Sequence, residues 1–111
     1  MNKVFLSGVI ATQPVMAHRP EQVAHAAFQL RVDHRKTSGE IVRETYPVNA
    51  WGKTAEWAVN RLRVGTVIAL NGILTQRAEQ DRTMVEITTS EIVIPAGNGG
   101  EQNGRDIVIH T

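Results

Sequence analysis

The chain has 111 residues, 41% hydrophobic and 21% charged, with a formal net charge of +1 and no cysteine. That length supports one domain and leaves no room for a second core. No run approaches the roughly 18 apolar residues of a membrane span, and the absence of cysteine excludes disulfides and thiolate zinc sites.

The opening "MNKVFLSG" turns polar too soon for a signal peptide, so a cytoplasmic protein without membrane contact is expected. A charge this close to zero names no partner. A polyanion binder would have to sort its basic residues onto one face.

Period-two alternation dominates the pattern. In "NKVFLSGVI", Val4, Leu6, Gly8 and Ile10 share one side, and Lys3, Phe5, Ser7 and Val9 the other. Thr12 to His25, with Pro14 and Pro20, reads as a loop. "AAFQLRVDH" turns Phe28, Leu30 and Val32 inward and Gln29, Arg31 and Asp33 outward. "KTSGE" at 36–40 is a turn, which makes the second and third strands a hairpin. The third strand, about 42–51, sets Tyr46, Val48 and Ala50 on one face and Arg43, Thr45, Pro47, Asn49 and Trp51 on the other. Pro47 lacks an N–H and calls for an edge or an irregularity.

After Gly52 the spacing becomes helical. Ala55, Ala58, Val59 and Leu62 form one apolar stripe, Arg61 and Arg63 lie near the C-terminal end where cations are favoured, and Gly65 is the expected stop. By the same periodicity Trp57 falls on the face opposite that stripe. "TVIALNGILT" then turns Ile68, Leu70, Gly72 and Leu74 inward. In "MVEITTSEIVI", Val85 and Ile87 have one parity and Ile92 and Ile94 the other, so a bulge near Thr89-Ser90 is required to give them a common face. "AEQDR" at 78–82 joins these strands as a hairpin. Residues 1–95 therefore form the expected domain, and 96–111 a Gly- and Asn-rich tail that ends in "IVIHT". Alternating strands alone would also permit a sandwich or another small barrel, but five strands with one helix between the third and fourth favour the order of an all-β, Greek-key OB-fold barrel.

Three segments, "NKVFLSGVI", "WGKTAEWAVNRLRVGTVIALNGILTQR" and "VEITTSEIVI", resemble the bacterial single-stranded DNA-binding protein family over about residues 2 to 94. The resemblance implies non-catalytic binding of single-stranded DNA in replication, repair or recombination, by barrels assembled into dimers or tetramers. "FLSG", "DHR" and the Pro47-Val48 pair are similar to a shorter branch, the dimeric primosomal replication protein N, which would dock replication-restart proteins. The chain departs from the family's stacking pattern. Only Trp51 falls on a stacking position, while Thr45, Ala78 and the His34–Lys36 stretch occupy the others. The tail also lacks the acidic, Phe-terminated tip through which the family recruits partners.

Single-stranded DNA offers phosphates and unpaired bases, so its binder needs cations and flat faces. Arg31, Arg43, Asn49 and Trp51 lie on the outward side of the hairpin, and Arg35 and Lys36 at its turn. Lys3 and Lys53 match basic positions of the family motif, and Arg77 and Arg82 flank a hairpin that wraps DNA in the family. With few stacking residues, the affinity is expected to depend steeply on salt. Each of these side chains has a plainer reading as solvated surface, and Trp51 could merely close the barrel end. Outward Phe5 and Val9 fit an oligomer interface, and Tyr46 fits burial or an oligomer contact. A protein–protein adaptor with weak DNA binding is the alternative from another class.

Catalysis has little support. His18, His25, His34 and His110 lack metal-ligand spacing, so neither metal nor cofactor is expected. Ser7 and Ser38 have no evident base, and no Gly-rich phosphate loop follows a strand.

Overall fold

The computed structural model describes residues 1–17 and 23–95, and the backbone of 107–110. Seven strands and one helix follow in the order β1 (Val4–Ile10), β2 (Val15–Ala17), β3 (His25–Arg35), β4 (Ile41–Trp51), α1 (Gly52–Arg61), β5 (Val67–Glu79), β6 (Arg82–Ile94) and β7 (Ile107–His110). The five longer strands, β1 and β3 to β6, close into the expected mixed barrel, and α1 lies between the third and fourth of them.

Two long antiparallel hairpins, β3–β4 and β5–β6, pair along their whole length. β1 bridges them, running against β5 from Val4 to Val9 and meeting β3 only at Val9 and Ile10. The remaining gap is closed by a short parallel seam, Val48 beside Ile87 and Asn49 beside Thr88. Gly8 makes the β1–β3 crossing possible. A Cβ built there would stand 2.2 Å from the Arg31 carbonyl oxygen, closer than any side chain could sit.

The alternation seen in the sequence fills this barrel. Ile10, Phe28, Leu30, Val48, Ile68, Leu70, Ile87, Ile92 and Ile94 form one core with Ala58 and Leu62 of the helix side. In β6 the register jumps: Asn71 faces Glu91, and the next residue, Gly72, faces Thr89. Ser90 is the extra residue, and the jump returns Ile92 and Ile94 to the inner face that Ile87 occupies.

Pro47 also sits where an N–H is dispensable. Its partner Gln29 directs its own backbone groups toward Ala11 and the Thr12 hydroxyl, so the Gln29–Pro47 pair carries no ladder hydrogen bond. The Pro47 nitrogen faces the end of the short β4–β6 seam, which begins one residue later.

Some expectations change. The segment read as a loop from Thr12 to His25 contains β2, which pairs with β3 as Val15–Ala27, Met16–Ala26 and Ala17–His25; three residues are too few to show a period. Leu74 and Val85 are exposed, although their parity is inward. They lie where the β5–β6 hairpin has passed the last β1 and β4 partners, so no core remains for them to enter. The helix ends at Arg61, before Gly65: Leu62 is already extended, and the Arg63 side chain donates to the carbonyls of Leu62 and Val59. Trp57 is half-buried and packs against the main core rather than facing away from it, with the Arg61 guanidinium 6.0 Å from its ring centre. Within the segment read as a tail, β7 runs antiparallel to Glu91–Ile94 of β6. His18 and the stretch 96–106 lie outside the described residues.

Candidate nucleic-acid interface

The outer face of the β3–β4 hairpin carries the predicted residues in a row set by its register. His25 faces Trp51, Ala27 faces Asn49, Gln29 faces Pro47, Arg31 faces Thr45 and Asp33 faces Arg43. The middle of the row, Ala27, Gln29, Thr45, Pro47 and Asn49, forms one side of a groove of about 610 Å³, whose other side is Arg77, Met84 and Glu86 of the β5–β6 hairpin. A second hollow of about 400 Å³ continues it to Trp51.

Trp51 owes its position to the strand–helix junction. Gly52 adopts φ 61, a left-handed conformation that other residues rarely take, and its N–H donates to the Ala24 carbonyl. The chain thus turns sharply into α1 directly after Trp51, whose indole stays on the groove side, 43% exposed. One face of the indole is already covered: His25 stacks on it with ring centroids 4.1 Å apart and planes 18° apart. No second ring covers its other face among the described residues.

Asn49 is held in a polar chain. Its Oδ1 lies 2.7 Å from His25 Nε2, and its Nδ2 donates to Glu86 Oε1 at 2.9 Å. Since Oδ1 can only accept, His25 Nε2 carries the proton in this contact. Arg77 approaches Glu86 Oε2 through Nε and Nη2, both at 3.1 Å, and Glu79 Oε2 through Nη1 at 2.6 Å. Hydrogen bonding and attraction to Glu86, then Glu79, hold the Arg77 guanidinium even more firmly protonated than usual.

The positive face is consequently more balanced than the sequence implied. Asp33 lies between Arg31, 3.3 Å from Nε, and Arg43, 3.8 Å from Nε. Lys36 pairs with Glu40 at 3.6 Å, and Arg35 donates to the Gly39 carbonyl at 2.9 Å. Lys3 and Lys53 are exposed and make no ion pair among the described residues. Arg82 is exposed at the hairpin tip, with a 4.0 Å contact to the Met84 sulfur. The structure thus brings Asn49, Trp51 and Arg77 around one groove, with Arg31 and Arg43 farther along the same strand face, Arg43 beside a separate hollow it shares with Asp33, His34, Arg35 and Ile41. Arg35 and Lys36 lie at the β3–β4 tip, Arg82 at the other hairpin tip, Lys53 at the start of α1 two residues past Trp51, and Lys3 apart from the groove just before β1.

His25, Gln29 and Glu86 were not singled out in the sequence, although they line the groove. The hairpin turn held the clue for His25: equal steps outward from Lys36–Glu40 bring it opposite Trp51. Glu86 could not be found that way, since it meets Asn49 across a parallel seam between segments far apart in the chain.

The oligomer candidates divide. Phe5, 71% exposed, stands beside Asn71, and Val9 beside Val67, on the outer face of β1 and β5. Exposed Ile73 and half-buried Val93 extend that apolar surface. Tyr46 is not part of it. Its ring packs half-buried against the core and its hydroxyl donates to Glu44 Oε1 at 3.2 Å. Burial, followed by that carboxylate, pushes the phenol above its ordinary range.

Residues 1–96 match the sequence model of the single-strand binding protein family. The chain is 30% identical to the single-stranded DNA-binding protein of Caldanaerobacter subterraneus subsp. tengcongensis over 84% of its own length and 63% of the relative's. It is 29% identical to that of Bacillus cereus over 94% and 66%, and 32% identical to single-stranded DNA-binding protein 3 of Clostridium acetobutylicum over 84% and 66%. It thus spans less than two thirds of these relatives. Among solved structures, the SSB domain of a Synechococcus protein superposes with a TM-score of 0.66 at 19% identity, over 83% of this chain and 93% of that one. That likeness supports the OB-fold assignment.

Proposed function

The chain belongs to the single-strand binding protein family, and from that premise we propose that it binds single-stranded DNA non-catalytically along the β3–β4 groove. The carrying observation is the ordered row on one strand face. Trp51 supplies an open ring face at one end, and Arg31 and Arg43 supply charge toward the other. A strand laid along this row would stack a base on Trp51 and pass its phosphates over the two arginines, with Arg77, Lys53 and the hairpin-tip Arg35, Lys36 and Arg82 nearby. Asn49 completes the groove contacts, and Lys3, beside β1, is an outlying contact for a strand that extends beyond the groove.

In the cell the activity would serve replication, repair or recombination in the cytoplasm, by a dimer or tetramer joined through Phe5 and Val9. The carboxylates beside Arg31, Arg43 and Arg77 favour one second reading, a protein adaptor with weak DNA affinity. Titration of a mixed-sequence oligonucleotide, followed by tryptophan fluorescence at several salt concentrations, separates the two. Quenching with salt-dependent affinity is expected. Absence of quenching and of binding at low salt would sink the DNA reading and leave the adaptor.

A further inference from the structure

The hollow beside Trp51 is lined by His25, Ala27, Asn49, Trp51, Arg77 and Glu86, and at about 400 Å³ it is in the size range of small-ligand pockets. Its unexpected member is Glu86, a carboxylate only 8% exposed. A carboxylate here offers phosphate no direct attraction beyond holding Arg77 in place. Its contacts also fall short of its capacity. Asn49 Nδ2 binds Oε1, and Arg77 Nε and Nη2 bind Oε2, whereas a carboxylate has about four lone-pair directions. One acceptor site thus remains unused among the described residues, and Glu86 lines the hollow together with the Trp51 ring. Asn49 retains one amide hydrogen there as well, its other being used on Glu86.

A base stacked at Trp51 would turn an edge toward this acceptor. Cytosine offers its N4 amino group and adenine its N6 amino group, each a donor at a corner of the ring, and carboxylates accept from cytosine N4 in base readout. Thymine and uracil have a single edge donor, N3–H, placed between two carbonyl oxygens that would be pressed against the carboxylate. The geometry points to a base-reading subsite at Glu86 that prefers an amino-bearing base, such as cytosine, over thymine or uracil. The inference rests on the single-stranded DNA reading and sharpens it, because an otherwise sequence-tolerant groove acquires one selective position.

Oligo-dC and oligo-dU of equal length provide the test. They differ at the ring edge but have the same ring size, and end-labelled strands can be followed by anisotropy at mildly alkaline pH and fixed salt. The expected result is tighter binding of oligo-dC by about 5-fold or more. Glu86→Gln should bring the ratio close to one. Should that variant fail to fold, N4,N4-dimethylcytosine oligonucleotides remove the donor from the ligand instead and should bind no better than oligo-dU. Equal binding of oligo-dC and oligo-dU, or tighter binding of oligo-dU, overturns the subsite while leaving DNA binding intact. Binding of neither strand overturns both readings.

Discussion

Asp33 governs how much positive charge the groove can offer. Its carboxylate is about a third exposed and faces both Arg31 and Arg43, so an incoming phosphate must replace an internal anion. We expect Asp33→Asn to tighten binding several-fold at low salt, and the gain to shrink as salt screens it. Anisotropy titrations at two salt concentrations check this, and unchanged affinity would remove both arginines from the contact set. Trp51→Ala should weaken binding by about 5- to 150-fold, the equivalent of roughly 1–3 kcal/mol for a single base stack. Trp51→Phe should retain most of the affinity. The arginines were visible in the sequence but their neutralisation was not, because ion pairs depend on register. Asp33 meets Arg43 only once the hairpin is paired.

Among the elements, β6 carries the most demanding local instruction. Its two halves have opposite parity, and Ser90 reconciles them. Deleting Ser90 should turn Ile92 and Ile94 outward and bring Glu91 and Val93 in. Exposing two isoleucines costs about 3–6 kcal/mol, a large part of a small domain's stability, before Glu91 is buried. The variant is therefore expected to be insoluble or to show no cooperative melt by circular dichroism; a native-like melt would contradict the assigned bulge. This element was legible in the sequence because alternation breaks at one definable point. β2 was not, since Val15–Ala17 is held by its pairing to β3 and not by any pattern of its own. Leu74 and Val85 misled for a related reason: parity records direction, while burial depends on where neighbouring strands end.

For the whole molecule, groove and apolar surface lie on different outer faces. The groove belongs to β3, β4 and the distal part of β5–β6, whereas Phe5, Val67 and Ile73 belong to the β1–β5 side. Assembly through the second would leave the first open. Phe5→Asp should lower the mass measured by light scattering toward one chain without unfolding the barrel, because Phe5 contributes nothing to the core. An unchanged mass would move the interface elsewhere.

The parallel seam at Val48–Asn49 and Ile87–Thr88 has a further consequence. A closure this short, between two hairpins that are each fully paired, is the natural place for the barrel to breathe, and its amides should exchange with deuterium sooner than those within either hairpin. Asn49 and Glu86 join the two sides just above it, so a strand lying in the groove would clamp both lips of the opening. Deuterium uptake around Asn49 and Thr88 should slow when DNA is bound, reporting occupancy through the closing of the barrel seam.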